Sequence, residues 1–181
     1  ESFRRIVDGE VIRIGAHDWR IIVGRGHSPE HACLVCDDLK VLVSGDQVLP
    51  KISSNVSVFP TEPDADPLGD WIASLDKLHQ ALPDDLLVLP AHNEPFRGLH
   101  ARLQNLIDSH ERSLERLAKR LQAKPRRAID TFGALFAREI GKDLLGMATG
   151  EAIAHLNCLV ARGRAGRERQ ADGTLVWFAK P

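Results

Sequence analysis

The sequence predicts an α/β fold, because short apolar runs of strand character alternate with polar turns and with stretches of helical periodicity. Five apolar runs lie at residues 10–14, 19–23, 32–36, 40–43 and 86–89. The last of them is continuous rather than alternating, which is typical of a strand that is buried on both faces. With 181 residues, 43% of them hydrophobic, and a formal net charge of −1, the composition is that of a globular protein with one core and a small appendage.

Two helices are predicted around the last of these strands. Asp66 followed by Pro67 is a helix start, with the aspartate as N-cap and the proline at the first helical position. Trp71 continues the 3–4 spacing of this helix, which we expect to end near Ala81 with the tryptophan in the core. A longer amphipathic helix is predicted over residues 99–121. Residues 47–66 lack periodicity, and we interpret them as a long surface loop.

The end of the chain differs in character, and we place a domain boundary between residues 1–122 and 123–181. A short helix is predicted over 129–136, a turn or one-turn helix over 141–146, and a further helix over 149–161 with Thr149 as its cap and Gly163 as its terminator. Two strands over 165–169 and 174–178 follow. Three helices and a hairpin form the outline of a winged-helix domain.

Composition excludes several classes of function. Near-neutral charge disfavours a dedicated nucleic-acid binder, and we find no apolar run near 18 residues and hence expect no membrane partner. Three cysteines suggest a reducing, cytoplasmic compartment. Cys33 and Cys36 lie three apart on one strand and therefore face opposite sides, so we interpret them as buried structural thiols.

Polar groups follow three of the strands. His27 and His31 lie in a glycine-flanked loop, Asp46 follows Ser44 and Gly45, and His92 follows Pro90 and Ala91. Imidazole and carboxylate ligands on such loops suit Zn²⁺, Mn²⁺ or Fe²⁺. A carboxylate can bridge two cations about 3.5 Å apart with a hydroxide between them, and that hydroxide can attack an ester, thioester, amide or phosphodiester.

These segments resemble the second half of metallo-β-lactamase-fold hydrolases, most closely the glyoxalase-II-like and lactamase-like-protein-2 branch, over residues 8 to 122. The resemblance implies that His27 binds the first metal, that His92 binds the second, and that Asp46 bridges both and is catalytic. It implies a supporting role for His31 and Gly45, and places Asn55 and Ser57 near the substrate cleft. The implied fold is half of an αββα sandwich, and residues from 128 onward resemble the winged-helix appendage often fused to this branch.

One family feature is absent. The H-x-H-x-D-H signature, which supplies two ligands to each metal, does not occur in the sequence. Either it lies upstream of Glu1 or the chain is a degenerate homologue. We therefore expect two divalent ions, zinc with manganese or iron as alternatives, in the complete protein. In this chain alone we expect the ions to be absent or partial and the chain to be inactive.

The predicted function is metal-dependent hydrolysis of a thioester or related small acyl substrate, with metal-bound hydroxide as nucleophile. The alternative is a nucleic-acid-binding or single-strand RNA-cleaving protein that uses the winged helix. Arg162, Arg164, Arg167 and Arg169 favour that alternative, but the helix over 149–161 carries no Lys or Arg, which disfavours a nucleic-acid partner. A half sandwich would leave an apolar sheet face and a free edge, so a homodimer is also expected.

Overall fold

A computed structural model describes residues 3–180 as two compact units, each discontinuous in sequence. The first unit comprises the chain up to Ser54 together with Asp70–Ile107. The second comprises Asn55–Gly69 together with the chain from Asp108 onward. The boundary predicted at residue 122 falls inside the second of these units and stays a prediction.

A five-stranded sheet forms the framework of the first unit. Its strands follow the chain order, and all five apolar runs predicted as strands are confirmed. They are β1 (Val11–Ile14), β2 (His17–Gly24), β3 (His31–Cys36), β4 (Val41–Gly45) and β5 (Leu87–Pro90). The first four pair antiparallel, whereas β4 and β5 run parallel with Gly45 opposite Pro90. Parallel pairing brings the carboxyl ends of these two strands to the same edge of the sheet.

The two faces of the sheet differ in burial. Ile22 pairs with Cys33, and Val35 with Leu42, and all four side chains on this face are buried. On the opposite face several apolar side chains, such as Leu34, are only half-buried. The edge strand β1 also exposes Val11 and Ile14, at 55% and 48%. The second face is therefore covered unevenly, since Ile21 and Cys36 on it are fully buried, and the expected apolar face with a free edge stays a prediction.

Both long helices lie close to their predicted bounds. Helix α1 spans Pro67–Ala81, and the Asp66 carboxylate accepts a hydrogen bond of 2.9 Å from the Gly69 backbone N–H, which confirms the predicted N-cap. Trp71 is fully buried in the core, as expected. Helix α2 spans Leu99–Ala123. Both cysteines of the C-x-x-C are free, buried thiols, which confirms their structural interpretation.

The interpretation of residues 47–66 as a loop is confirmed, but its placement entirely at the surface is wrong. No helix or strand forms there, but Val48, Leu49, Val56 and Val58 are buried. The Arg102 guanidinium donates to the Leu49 carbonyl at 2.6 Å. The segment lacks periodicity because it contributes isolated apolar side chains to the core without forming an element of its own.

In the second unit, short helices precede a hairpin. A 3-10 turn (Ala128–Thr131) leads into α3 (Phe132–Leu135), and a second 3-10 turn (Lys142–Leu144) leads into α4 (Leu145–Ala161). Strands β6 (Ala165–Arg169) and β7 (Leu175–Ala179) pair antiparallel.

The predicted start of α4 at Thr149 is wrong, whereas its predicted end is confirmed. Because the 3-10 turn runs directly into the helix, Thr149 lies inside it and its hydroxyl donates back to the Leu145 carbonyl at 2.7 Å. At the other end Gly163 adopts a left-handed conformation with φ of 71°. Its N–H donates to the Val160 carbonyl, and the Arg164 N–H donates to that of Leu159, which closes a Schellman motif.

One segment departs from the expectation that no stretch could span a membrane. By length and composition Lys142–Ala161 could do so, although half of it is buried within the fold. Ala152, Leu156 and Leu159 on α4 are fully buried. These apolar side chains therefore belong to the core of the second unit, and a core helix of a globular protein has the same composition.

Candidate metal centre

Strand ends of the first unit bring the predicted ligands together. His27 lies in the loop after β2, Asp46 follows β4 directly, and His92 follows β5. The Ala91 N–H donates to the Gly45 carbonyl at 3.0 Å, which holds the two loops side by side. Asn93, directly after His92, has a φ of 67°, and Phe96 then forms an antiparallel bridge with Val88 on β5.

The Asp46 carboxylate lies between the two imidazoles. Its Oδ1 is 3.3 Å from His92 Nε2, and its Oδ2 is 3.9 Å from His27 Nε2. The Asp46 and His27 side chains are each 29% exposed and the His92 side chain is 65% exposed. The three groups are thus open to solvent ligands while their backbones are fixed by the strands.

His31 packs beneath this arrangement. Gly45 has a φ of 53°, and a Cβ added to it would lie 2.9 Å from His31 Cε1. Residue 45 therefore needs to be glycine both for its conformation and for the space that the imidazole occupies. Burial, and to a smaller degree the neighbouring His27 ring, lower the pKa of His31. Its position matches a supporting role, which stays a prediction.

The donor set fits a divalent metal in part. Two ligands bound to one tetrahedral zinc ion at about 2.0–2.1 Å lie about 3.3 Å apart. The distance between His92 and Asp46 matches this value, whereas His27 would need to move inward by about half an ångström. Within residues 3–180, no group of three or more His, Cys, Asp or Glu side chains is arranged to hold a metal ion. These residues thus offer two ligands to each of two ions, fewer than a closed site requires.

Family comparisons agree with this geometry. Residues 2–92 match the model of the metallo-beta-lactamase superfamily, and residues 114–180 match that of the metallo-beta-lactamase-like C-terminal domain. The chain belongs to the metallo-beta-lactamase superfamily. The general class of this superfamily is hydrolase.

Three similar proteins illustrate the relationship. A crystal structure of a beta-lactamase domain protein from Burkholderia ambifaria superposes with a TM-score of 0.95 at 40% identity, covering 99% of this chain and 53% of that one. Lactamase-like protein nscB from Arthroderma gypseum is 31% identical over 82% of this chain and 45% of its own length. Atrochrysone carboxyl ACP thioesterase from Aspergillus terreus is 26% identical over 67% of this chain and 34% of its own length. The chain thus spans less than half of each of these two curated relatives.

The residues predicted near a substrate cleft belong to the second unit. The Ser57 hydroxyl donates to Asn55 Oδ1 at 2.8 Å, and both side chains are half-buried. A Cβ added to Gly150 would lie 3.0 Å from Ser57 Cβ, so the loop packs closely on α4. Their role at a cleft stays a prediction.

Sequence reasoning missed two polar residues of the metallo-beta-lactamase site region. Ser44 and Gln47, on either side of Gly45 and Asp46, are fully buried. A polar residue at the end of an apolar strand was the available signal for Ser44. Gln47 gave no signal, because its contacts depend on the approach of a loop 22 residues earlier in the chain.

The second unit contains another pair of histidines. His110 on α2 and His155 on α4 are 6% and 2% exposed, with His110 Nδ1 3.2 Å from His155 Nε2. His155 Nδ1 lies 2.9 Å from the Glu151 carbonyl, which requires a proton on that nitrogen and leaves Nε2 as the acceptor for His110. Burial lowers the pKa of both histidines to about 4. Both rings are therefore neutral near pH 7.

Proposed function

We propose that this chain supplies one side of the metal centre of a hydrolase that cleaves a thioester or related small acyl ester. The observation that carries the proposal is the Asp46 carboxylate, whose two oxygens each face a different imidazole nitrogen. An aspartate placed in this way is suited to join two cations rather than to bind one. Zinc is the proposed metal, with manganese or iron as alternatives.

Each residue has a defined part in this proposal. His27 and one oxygen of Asp46 would hold the first ion, and His92 and the other oxygen would hold the second. Bound divalent ions would polarise the acyl carbonyl and provide a nucleophile at neutral pH. His31, packed on Gly45, would limit the movement of the loop that carries Asp46. The remaining ligands would come from an H-x-H-x-D-H segment outside this chain.

The acyl substrate class is supported by the curated relatives. Two of them, from Aspergillus terreus and Aspergillus fumigatus, are named as acyl-carrier-protein thioesterases, at 26% and 28% identity. A thioester needs an activated nucleophile and charge stabilisation at its carbonyl, both of which a two-cation site offers. The substrate is therefore proposed as a class and not as a single compound.

We also propose that residues 123–181 form a winged-helix-like domain without a nucleic-acid partner. The order of helices and hairpin supports this proposal, as does an antiparallel bridge from Arg126 to Trp177, which adds a third extended segment beside β7. Arg162 and Arg164 each form a bidentate pair, with Glu111 and Glu115 respectively. Arginines that are neutralised within the fold contribute little to phosphate binding.

The test is hydrolysis by the full-length protein loaded with Zn²⁺ or Mn²⁺. We expect turnover of an acyl thioester and no cleavage of a labelled single-stranded RNA. A salt titration with the same oligonucleotide should show weak binding with little salt dependence. Cleavage of the RNA with no thioester turnover would contradict the proposal and support the alternative function.

A further inference from the structure

A buried glutamine connects two of the loops that carry predicted ligands. Gln47 follows Asp46 directly and is fully buried. Its side-chain Nε2–H donates to the Arg25 carbonyl at 3.3 Å, two residues before His27. Its backbone N–H donates to the Ser44 carbonyl at 3.0 Å, which closes the turn around Asp46. One residue thus contacts both the His27 loop and the Asp46 turn.

The end of strand β2 makes room for this side chain. A Cβ added to Gly24 would lie 2.6 Å from Gln47 Oε1 and 2.8 Å from Gln47 Cγ. The φ of Gly24 is not in the left-handed region, so its backbone does not require glycine. A side chain at residue 24 would therefore collide with the Gln47 amide.

The burial of this amide has a cost that an apolar side chain would avoid. Within the described part of the chain, Gln47 Oε1 is buried with no hydrogen-bond partner. A buried acceptor without a donor destabilises the fold, so a leucine of similar size would be the more stable choice. A polar group retained under such a cost, next to a site, is typical of a residue kept for function.

Ser44 forms a similar connection towards the third loop. Its buried hydroxyl donates to the Val48 carbonyl at 2.9 Å and lies 3.4 Å from the Leu89 carbonyl, three residues before His92. A hydroxyl has a single proton, so the shorter contact is the principal one. Ser44 therefore adds to the turn around Asp46, whereas the amide of Gln47 provides the link to the His27 loop.

From this geometry we propose that Gln47 is a positioning residue, which fixes the His27 loop against the Asp46 turn and so keeps the His27 imidazole opposite the Asp46 carboxylate. It touches neither substrate nor metal in this role. The part of the inference that concerns metal affinity rests on the proposed function; the part that concerns the loop does not.

The experiment compares Gln47→Leu with Val35→Ala by amide hydrogen exchange and by Co²⁺ titration of the full-length protein. The leucine keeps the volume but cannot donate to the Arg25 carbonyl. We expect exchange in residues 25–30 to quicken by about ten-fold while that of α1 is unchanged, and Co²⁺ affinity to fall about ten-fold. Val35→Ala makes a cavity in the same sheet and should quicken exchange without this selectivity.

If Gln47→Leu does not fold, a second variant tests whether Gln47 fixes the His27 loop. Gly24→Ala displaces the Gln47 amide without removing it and should give the same selective opening of the loop. In the double variant Gly24→Ala/Gln47→Ala the clash is removed but the donor is still missing, so exchange in the loop should stay fast. Recovery of parental exchange in the double variant would assign Gln47 a packing role only and overturn the proposal.

The remaining outcomes separate this inference from the proposed function. Parental exchange and parental Co²⁺ affinity in Gln47→Leu would overturn the inference, and so would a uniform increase in exchange like that of Val35→Ala. If the full-length parent protein takes up no Co²⁺, the proposed metal centre is contradicted. The exchange measurements then decide whether Gln47 fixes the loop.

Discussion

Two of the histidine pairs in this chain show how surroundings decide what a histidine can do. His27 and His92 face opposite oxygens of one carboxylate and remain open to solvent. His110 and His155 face each other, are buried, and are linked by one hydrogen bond. The first pair places ring nitrogens beside a negative charge, which suits a cation. The second pair uses its nitrogens within the core, which suits a structural role.

The contrast extends to the other polar groups of the two units. Around Asp46 the first unit leaves a carboxylate and two imidazoles accessible. In the second unit, Arg162, Arg164 and Arg167 pair with Glu111, Glu115 and Asp64. Internal pairing of charges is typical of a stabilising surface, whereas accessible, convergent groups are typical of a site.

The largest expected effect is that of Asp46→Asn on catalysis by the full-length protein. The amide cannot hold two cations, so several kcal/mol of transition-state stabilisation should be lost, which corresponds to at least about 1,000-fold in kcat/KM for a thioester. Asp18→Asn is the matched control, because it removes the same charge from an exposed pair with Arg13. Equal activity in the two variants would show that Asp46 matters no more to catalysis than a surface carboxylate, which contradicts its proposed role.

The second effect concerns pH and the buried pair. The folded-state pKa values of His110 and His155 are about 4, below the ordinary value of about 6.5. Between these two pH values the unfolded chain binds protons that the folded chain does not. The free energy of unfolding is therefore not lowered by these histidines above about pH 6.5, and it falls as the pH decreases towards 4. The expected loss is about 3 kcal/mol at pH 4 for one histidine.

Glu151 acts against this loss. Burial raises its pKa to about 7, so the folded chain takes up a proton there between about pH 7 and the ordinary value for glutamate. The net effect of the two histidines and Glu151 is measured by urea unfolding at a series of pH values. The fluorescence of the buried Trp177 reports unfolding in a protein that carries Trp19→Phe and Trp71→Phe. In a further variant with His110→Gln and His155→Gln the fall towards pH 4 should flatten. An unchanged fall would show that the pair does not cause it.

The smallest effect, on both stability and oligonucleotide affinity, is expected for substitution of the arginines of the second unit. Arg164→Ala should lower the free energy of unfolding by no more than about 0.5 kcal/mol, because the pair with Glu115 is largely exposed. Oligonucleotide affinity should be unchanged in this variant. Arg169→Ala, whose guanidinium donates to the Gly173 carbonyl, is the control. A steep fall of oligonucleotide affinity in Arg164→Ala alone would reopen the nucleic-acid alternative.

Local signals made much of the fold predictable. Asp66 with Pro67 gave the start of α1, and Gly163 gave the end of α4, because caps depend on a few neighbouring residues. The burial of Val56 and Val58 was not predictable, since it depends on contacts far along the chain. Thr149 failed as a cap because a preceding 3-10 turn had already started the helix.

The site was predictable in its residues but not in its geometry. Three polar loops after apolar runs indicated His27, Asp46 and His92. Only the parallel register of β4 and β5, with Gly45 opposite Pro90, sets Asp46 beside His92. The link from Gln47 to Arg25 lies between segments 22 residues apart and has no local pattern. Pairing and loop contacts of this kind are decided by the whole core.

The most direct test is anomalous diffraction at the zinc edge from crystals of the full-length protein soaked in excess Zn²⁺. The account predicts peaks about 2.0–2.2 Å from His27 Nε2, from His92 Nε2 and from the Asp46 oxygens, and none at the buried pair of His110 and His155. Zinc bound elsewhere, with no peak beside Asp46, would contradict the assignment of these three residues as metal ligands.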